Sequence, residues 1–379
     1  MQAVQYFPLV DVTGGPYNRG LQHGRAVPER IAAGAALYRA QLGRRGLDDA
    51  TIDRLARAML PQIEAFDPAY LEEMQGIAEG AGTSLENIVV VNCRTEMLYG
   101  FSTIGGNAPA EDGNEDGDCT GLVVLPKRSA TGRLLHAHNW DWRQECVDTC
   151  IVLRIRAESV ADSGPDILAF TEAGALARHG FNSHGVSLTG NALSCHEDYQ
   201  HGPGVPVVLL RRRLLESTNL AHAMRTVWNA RRYCSSNMIL AQSSATDGAC
   251  ASLEAAPTDV YWTLPQDNVL VHANHWLSPV AVSRLRDPGL AARPDSLYRQ
   301  HRVENGLLSI TDRGIDWNDV RTILADDFGF PDGVLRTPKP GDFSSISATV
   351  ATTLMDVAKK VMWIARKPYE CREFQEYTL

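Results

Sequence analysis

The spacing of apolar residues divides the chain into a helical first part and a strand-rich remainder. Before residue 100, apolar residues recur at intervals of three and four, the period of an amphipathic helix. One such segment is expected to be capped by Asp49 or Thr51 and to end at Phe66. Asp67-Pro68 restarts the pattern because proline fits the first helical position, and Gly82 is expected to end it.

From Cys119 onward, short apolar runs separated by turn residues predict strands. These strands are predicted at 120–125, 134–141, 150–157, 167–172, 186–191, 238–242, 251–255, 261–263, 269–272, 347–355 and 361–365. Helices are predicted at 205–216 and 220–230 and within 296–325. Blocks of strands that alternate with blocks of helices predict mixed α/β layers, not a doubly wound parallel sheet.

An acidic, glycine-rich segment separates the two parts. Residues 102–118 contain almost nothing to bury, which is typical of a linker. This segment stops abruptly at Cys119, where an apolar strand begins. The next predicted strand carries the cluster His138-Asn139-Trp140-Asp141-Trp142. A hairpin of these two strands would bring a thiol, a carboxamide and a carboxylate together.

Composition narrows the possible partners. The chain has 379 residues, of which 44% are hydrophobic and 21% charged, and a formal net charge of -9. Those fractions are typical of a soluble globular protein, and the net charge argues against nucleic acid, whose binding proteins carry basic stripes. The run Arg211-Arg212-Arg213 lies on a predicted helix, and we expect it to form an exposed, solvated face.

The start of the chain lacks the basic and apolar regions of a signal peptide, and no apolar run is long enough to cross a bilayer. We therefore expect a cytoplasmic protein without a membrane partner. In a reducing compartment its 8 cysteines should be buried thiols and not disulfides. Cys146 and Cys150 lack a second pair that would complete a zinc site, and no phosphate-binding glycine motif is present. We expect no metal and no cofactor.

Cysteine chemistry requires a base, and the sequence offers two kinds. An intact chain could use a Cys–His pair with His136, His138 or His275. Alternatively, cleavage of the Asp118–Cys119 bond would free the α-amine of Cys119. An α-amine titrates near pH 7.7–8.0 and a thiol near 8.5, so proton transfer between them is almost balanced. A binding protein of the same fold without turnover is the alternative from another class.

Several stretches spread over most of the chain resemble the signature segments of one enzyme family. They are residues 14–24, residues 73–82, Cys119-Thr120 with 138–141, residues 180–186 and residues 272–275. In this order they resemble the acyl-coenzyme A:6-aminopenicillanic acid acyltransferase family, peptidase family C45, within the N-terminal nucleophile hydrolases.

The resemblance implies an α+β fold, a four-layer αββα sandwich, and a proenzyme cut directly before Cys119. Residues 1–118 would be a mainly helical prosegment or α-subunit, and residues 119–379 a β-rich catalytic β-subunit of the same globular unit. The implied enzyme is a self-processing cysteine amidohydrolase or acyltransferase. Its substrate would be an amide or thioester of a small acylated amine or natural product. The processed chains are expected to stay together, and a higher oligomer is possible.

Site residues follow from the same resemblance. Cys119 matches the nucleophile, Asp141 the carboxylate beside the new terminus, and Asn274 the carboxamide that donates to the oxyanion. Asn182 matches a turn that lines the same pocket. Asn139 is kept as a supporting residue, because we expect it to point to the opposite face of the strand from Asp141.

Each of these residues also has a purely structural interpretation. Cys119 could be an ordinary buried thiol, and Asp141 could cap a turn. Asn274 could satisfy backbone groups at a strand end, and Asn182 could be a plain turn residue. The sequence alone leaves these alternatives open.

Two departures from the family pattern concern the site. Fungal acyltransferases of the family carry glycine before the nucleophile, whereas this chain has Asp118. Some related hydrolases carry an arginine in the late strand, where this chain reads Thr349-Val350-Ala351. On this alignment the sequence predicts that an arginine-assisted substrate contact of those relatives is missing here and that the substrate differs from theirs.

Overall fold

The computed structural model describes residues 5–106, 117–157, 164–340 and 345–379. Its helices are α1 (Pro16–Ala26), α2 (Pro28–Arg44), α3 (Asp49–Phe66), α4 (Pro68–Ala81), α5 (Leu85–Asn92), α6 (Arg94–Ile104), α7 (Val207–Leu215), α8 (Leu220–Asn229), α9 (Pro279–Arg284), α10 (Pro288–Ala292), α11 (Asp295–Leu308) and α12 (Trp317–Leu324). Most of the linker predicted at 102–118 lies outside the described residues, although α6 continues through its first three positions.

The strands of the same residues form two sheets. They are β1 (Leu9–Thr13), β2 (Asp118–Val124), β3 (Leu135–Arg143), β4 (Cys150–Arg156), β5 (Ile167–Glu172), β6 (His179–Asn182), β7 (Val186–Ala192), β8 (Ser236–Ser243), β9 (Gly248–Ala255), β10 (Val260–Thr263), β11 (Val269–His272), β12 (Lys339–Pro340), β13 (Ile346–Asp356), β14 (Val361–Arg366) and β15 (Gln375–Thr378). The first sheet has the order β1-β4-β5-β6-β7-β8-β9-β10, and the second β11-β2-β3-β13-β14-β15 with β12 on β13. Among the strands of the described residues, β1 pairs in parallel with β4, and all other strand pairs are antiparallel.

The two sheets pack face to face, and helices cover both outer faces. β2 and β3 contact β7 and β8, α7 and α8 pack on the first sheet, and α11 and α12 pack on the second. Between the sheets, His136 bonds Ser187 and Thr189, both at 2.9 Å. The α+β class and the helix–sheet–sheet–helix order are thus confirmed, because each sheet buries one face on the other and one under helices.

Helices α1 to α6 form the mainly helical first part, as predicted, and share a hydrophobic core with the sheets. Two details of the prediction were wrong: β1 was missed, and the cap of α3 is Asp48, which accepts from Thr51 N at 2.8 Å. Gly82 ends α4 with a φ of 64°, a conformation that glycine adopts without strain.

α1 and α4 belong to stretches 14–24 and 73–82 and cross in very close contact. A Cβ at Gly20 would lie 2.0 Å from Glu73 O, and one at Gly76 would lie 2.1 Å from Tyr17 O. These two signature stretches therefore describe one packed pair of helices, in which glycine allows the backbones to meet.

Burial corrects the interpretation of the arginine run. Arg211 is 6% exposed and Arg212 is 1% exposed, so the expected solvated face is wrong. Arg212 instead forms an ion pair at 3.1 Å with the buried Glu73 of α4. None of the eight cysteines, all of which lie in the described ranges, forms a disulfide, and seven are buried, as expected. Among the described residues, no helix has the length and apolar character required to cross a membrane.

Candidate active site

The predicted hairpin is present, and its register sets the geometry of the site. β2 and β3 pair antiparallel, with Asp118 opposite Asp141 and Cys119 opposite Trp140. Because side chains alternate along a strand, these two pairs point to opposite faces of the sheet. Cys119 and Trp140 face the first sheet, where the Trp140 ring lies 5.7 Å from that of Phe170.

Asp118 and Asp141 face the helix layer of α11 and α12. Asp141 Oδ1 accepts from Thr349 Oγ1 at 2.6 Å. Asn139 lies on the same face as Asp141, two residues away, so the expectation that it points to the opposite face was wrong. Its Nδ2 donates to Leu324 O at 2.8 Å and Val334 O at 3.0 Å, and these bonds fix α12 and the following loop to the sheet.

Asn274 lies two residues after the end of β11 and is bonded on both sides of the Asp118–Cys119 peptide. Its Oδ1 accepts from Cys119 N at 2.7 Å. Its Nδ2 donates to Gly117 O at 3.2 Å and to Ala192 O at 3.0 Å. Asn274 is 5% exposed, so this carboxamide replaces water as the partner of the chain around the peptide bond.

Arg299, from α11, is the first functional residue that the sequence did not indicate. Its Nη1 donates to Cys119 O at 2.8 Å, and its Nη2 donates to Asn274 Oδ1 at 2.9 Å. Nη2 also lies 3.2 Å from Asp118 Oδ1. Arg299 is fully buried and accompanied by Asp295 four residues earlier. The signal available in the sequence was the spacing of Asp295 and Arg299, which places an acid and an arginine on the same side of the predicted helix.

Arg336 is a second residue of the site that the sequence did not indicate. It precedes β13 and is tied to that strand, since Arg336 N donates to Thr349 Oγ1 at 2.9 Å and Thr349 N donates to Arg336 O at 3.0 Å. Its guanidinium lies 3.0 Å from Asp118 Oδ2 and 3.6 Å from Asp141 Oδ2, and is also paired with Asp295. These partners are carboxyl groups of the chain itself, so the missing arginine contact to a substrate stays a prediction.

The two facing carboxyl groups have opposite pKa shifts. Burial alone would raise the pKa of Asp118, but Arg336 and two other arginines outweigh it and lower the pKa to about 2. Burial raises the pKa of Asp141 to about 6, although Arg336 and Arg299 act in the opposite direction. Asp141 Oδ2 has no hydrogen-bond partner among the described residues.

Cys119 is a poor nucleophile in the uncleaved chain. Burial raises the pKa of its thiol to about 11, despite the nearby Arg178. None of the three histidines considered as bases is bonded to it among the described contacts. His136 is bonded to Ser187 and Thr189, His138 to Asn191, and His275 to Ser296. Burial lowers the pKa of His136 to about 3 and that of His275 to about 4.

Asn182 is not brought to Cys119. Its Oδ1 accepts from His184 N and Val186 N, and its Nδ2 donates to Leu215 O and Ser217 O. It does not line the cavity beside Cys119 within the described part of the chain. The turn alternative is favoured, and the pocket role expected for Asn182 is corrected on these grounds.

Comparison with known proteins supports a family assignment. The profile of the family described as acyl-coenzyme A:6-aminopenicillanic acid acyl-transferase matches residues 128–367, which is more than half of the chain. The chain is 29% identical over 336 residues to the acyl-coenzyme A:6-aminopenicillanic-acid-acyltransferase 40 kDa form of Emericella nidulans, covering 88% of this chain and 85% of that protein.

Two solved structures are more distantly similar. A mutant of the conjugated bile acid hydrolase from Clostridium perfringens has 12% identity and a TM-score of 0.46, over 69% of this chain and 92% of that one. Penicillin V acylase from Agrobacterium tumefaciens has 13% identity and a TM-score of 0.42, over 65% of this chain and 83% of that one. By its sequence match, the chain belongs to the acyl-coenzyme A:6-aminopenicillanic acid acyltransferase family and is an enzyme acting on C–N amide bonds.

Proposed function

We propose that the chain cleaves its own Asp118–Cys119 bond and then uses Cys119 as an N-terminal nucleophile for acyl transfer or amide hydrolysis. The observation that carries this proposal is the position of Asn274. Its carboxamide accepts from the nitrogen of the bond to be cut and donates to Gly117 O one residue before that bond. The carboxamide thus lies on both sides of that bond, where it can orient the peptide for cleavage.

Cleavage begins with addition of Cys119 Sγ to the carbonyl carbon of Asp118. The C–N bond breaks, the Cys119 nitrogen takes the thiol proton, and a thioester links Asp118 to Sγ. Water then hydrolyses the thioester, releasing the Asp118 carboxylate and restoring the thiol. Asn274 and Arg299 hold the Cys119 nitrogen and carbonyl oxygen, respectively, through these steps.

Cleavage supplies what the intact site lacks. With a pKa of about 11, the Cys119 thiol is almost entirely protonated at neutral pH. A free α-amine has a pKa close to neutrality and can accept the thiol proton directly. Asp141 Oδ2 makes no hydrogen bond among the described residues and lies 3.6 Å from Arg336, so it is available near the new terminus to accept from the α-ammonium.

The same cut frees the oxyanion donor. Asn274 Nδ2 is engaged by Gly117 O in the uncleaved chain, and this acceptor leaves with the prosegment end. Nδ2 can then donate to the oxyanion of a substrate bound at Sγ, an interaction that often contributes several kcal/mol. The α-amine passes its proton to the leaving amine, and the acyl-enzyme is resolved by water or by an acceptor amine.

Residues 1–118 and 119–379 would remain associated as α- and β-subunits of one globular unit. β1 pairs in parallel with β4, which lies on the other side of the cut. Two buried ion pairs also cross it, Glu73 with Arg212 at 3.1 Å and Arg94 with Glu172 at 2.8 Å. Breaking such pairs by separating the chains would expose or strand buried charges.

The substrate class follows from the family and from the chemistry of the site. The relatives are named as an acyltransferase, a bile acid hydrolase and a penicillin acylase. We infer an amide or thioester of a small acylated amine or natural product, with the acyl group carried by Cys119. The Cys–His alternative is weaker, because the three histidines are occupied by other partners and are poor bases.

The test is the mass of the purified protein under denaturing and reducing conditions, with N-terminal sequencing of the fragments. We expect two chains, the heavier starting Cys119-Thr120-Gly121, whereas Cys119→Ala should remain a single chain. A wild-type chain that stays intact after long incubation would rule out self-cleavage and with it the α-amine mechanism.

A further inference from the structure

A small cavity opens beside Cys119 on the face toward the first sheet. Its volume is about 30 Å³, and its lining includes Cys119, Gly117, Trp142 and three arginines, Arg94, Arg178 and Arg211. No carboxylate lines it among the described residues. Three cations around a nucleophile, with no anion in the wall, create a strongly positive environment.

Nearby carboxylates are already engaged elsewhere. Arg94 is paired with Glu172 at 2.8 Å, and both side chains are 4% exposed. Glu96 accepts from Val207 N, at the start of α7, at 2.7 Å. These acids neutralise part of the local charge without entering the cavity.

Arg178 differs from Arg94, which is paired with Glu172. It is 7% exposed, and no carboxylate of the described residues lies within ion-pairing distance of it. Its guanidinium stacks over the Trp140 ring, 3.7 Å from the centroid. Burial, with Arg94 and Arg211, lowers its pKa to about 9. A buried cation held only by an aromatic face is costly, because stacking replaces little of its lost hydration.

Two hydrogen-bond donors in this stack lack acceptors. Arg178 Nε and Trp140 Nε1 are both buried without a hydrogen-bond partner in the described structure. A buried donor without an acceptor costs free energy, which an incoming acceptor would recover. The stack belongs to the same face of the hairpin as Cys119, since Trp140 is its cross-strand partner.

We propose that the cavity beside Cys119 binds a carboxylate carried by the substrate, with Arg178 as its principal partner. The inference rests on the proposed function in one respect. In the uncleaved chain the cavity has room for about one water molecule, and Gly117 forms part of its wall. Departure of the segment that ends at Asp118 would enlarge it. The proposal thus narrows the substrate to amides or thioesters with an anionic group close to the reacting carbonyl.

Iodoacetate and iodoacetamide test this without knowledge of the natural substrate, because they alkylate the same thiol and differ mainly in a carboxylate. The processed protein is treated with each reagent, and alkylation at Cys119 is followed by peptide mass analysis. We expect the iodoacetate-to-iodoacetamide rate ratio at Cys119 to be about 10- to 100-fold higher in the wild type than in Arg178→Met, the range expected for a charge-assisted hydrogen bond. Arg178→Lys should give an intermediate ratio.

Arg231→Met is the matched control. It removes the same charge from a cavity wall elsewhere on the molecule, between α3 and α8, and should leave the ratio unchanged. The ratio is taken within each variant, so partial loss of folded protein does not bias it.

The outcomes separate this inference from the proposed function. If Arg178→Met slows both reagents equally, Arg178 acts on the thiol and not on an anion, and the inference is overturned while self-cleavage stands. If a processed Cys119 reacts with neither reagent, no accessible ligand site exists there and the inference also fails. An unprocessed chain would contradict the proposed function itself.

Discussion

The two faces of the β2–β3 hairpin bury charge in opposite ways. On the face toward α11, Asp118 and Asp141 meet Arg299 and Arg336 in a network of ion pairs. On the face toward the first sheet, Arg178 stacks on an aromatic ring, and no acid of the described residues lies within ion-pairing distance of it. The two faces therefore differ in whether their buried charges are compensated by partners within the chain. On the face toward α11, which we call the completed face, buried acids and arginines compensate one another within the uncleaved chain. On the face toward the first sheet, the charge of Arg178 has no acid partner among the described residues.

The strongest test of the completed face is removal of Arg336. Arg336→Met, in a Cys119→Ala background that keeps the chain intact, leaves Asp118 and Asp141 buried with less compensation. We expect a loss of about 3–5 kcal/mol in the free energy of unfolding, measured by urea denaturation.

Asp118→Asn provides the control for this prediction. Arg336 lies 3.0 Å from Asp118, so the two changes should not be additive, and the double variant should recover part of the loss. Strict additivity would mean that the pair contributes no coupling and that the network has been misassigned.

Asn274 contacts the backbone on both sides of the Asp118–Cys119 bond, between the side chains of the two faces. Asn274→Ala should slow self-cleavage about 10²-fold, since it removes the side chain that positions both the Cys119 nitrogen and Gly117 O beside the bond that breaks. The measurement is the half-time for conversion of the single chain into two, followed by mass.

Asn182→Ala is the matched change at a carboxamide with only backbone partners. It should lower the unfolding midpoint but leave the cleavage rate of the folded protein unchanged. A cleavage defect equal to that of Asn274→Ala would restore Asn182 to the site.

Much of this arrangement could be predicted from sequence, because it depends on local pattern. The hairpin, the α3 and α4 helices and the position of Cys119 follow from apolar spacing and from Pro68 and Gly82, and the structure has them. The nucleophilic role of Cys119 and the oxyanion role of Asn274 stay predictions.

The arginines could not be predicted, because their roles depend on contacts between distant segments. Arg299 reaches Cys119 across 180 positions of sequence, and Arg336 reaches Asp118 from a loop without a motif. The Arg211-Arg212-Arg213 run shows the same limit. From sequence alone, a run of charges predicts a solvated surface. The burial of this run depends on Glu73 and on the cavity beside Cys119, which come from distant segments.

The pH dependence of stability should distinguish the two carboxyl groups of the completed face. The pKa of Asp141 is raised from 3.8 to about 6, so the folded chain binds its proton more tightly than the unfolded chain. Between about pH 4 and pH 6 this residue therefore lowers stability as the pH rises. The pKa of Asp118 is lowered to about 2, so Asp118 contributes stability above about pH 4 that is lost as the pH falls toward 2.

Asp141→Asn in the Cys119→Ala background tests the first of these contributions. Its carboxamide can still accept from Thr349, so the variant should lack the decline between about pH 4 and pH 6 that the parent shows. Urea midpoints at half-unit pH steps provide the measurement. Parallel curves for parent and variant across this range would mean that Asp141 is ionised throughout and fully paired with Arg336.

The smallest expected change in the free energy of unfolding is that of Arg178→Met, and its contrast with Arg336→Met compares the two faces directly. Arg178→Met is the same substitution as Arg336→Met but removes a cation that has no acid partner among the described residues. Loss of the stacking contact with Trp140 and relief of the buried charge act in opposite directions, so the free energy of unfolding should change by no more than about 1 kcal/mol. Urea denaturation of both variants in the same Cys119→Ala background gives the comparison. A loss as large as that of Arg336→Met would show that Arg178 is a structural cation whose charge the fold already uses, and that no capacity remains on that face for a substrate carboxylate.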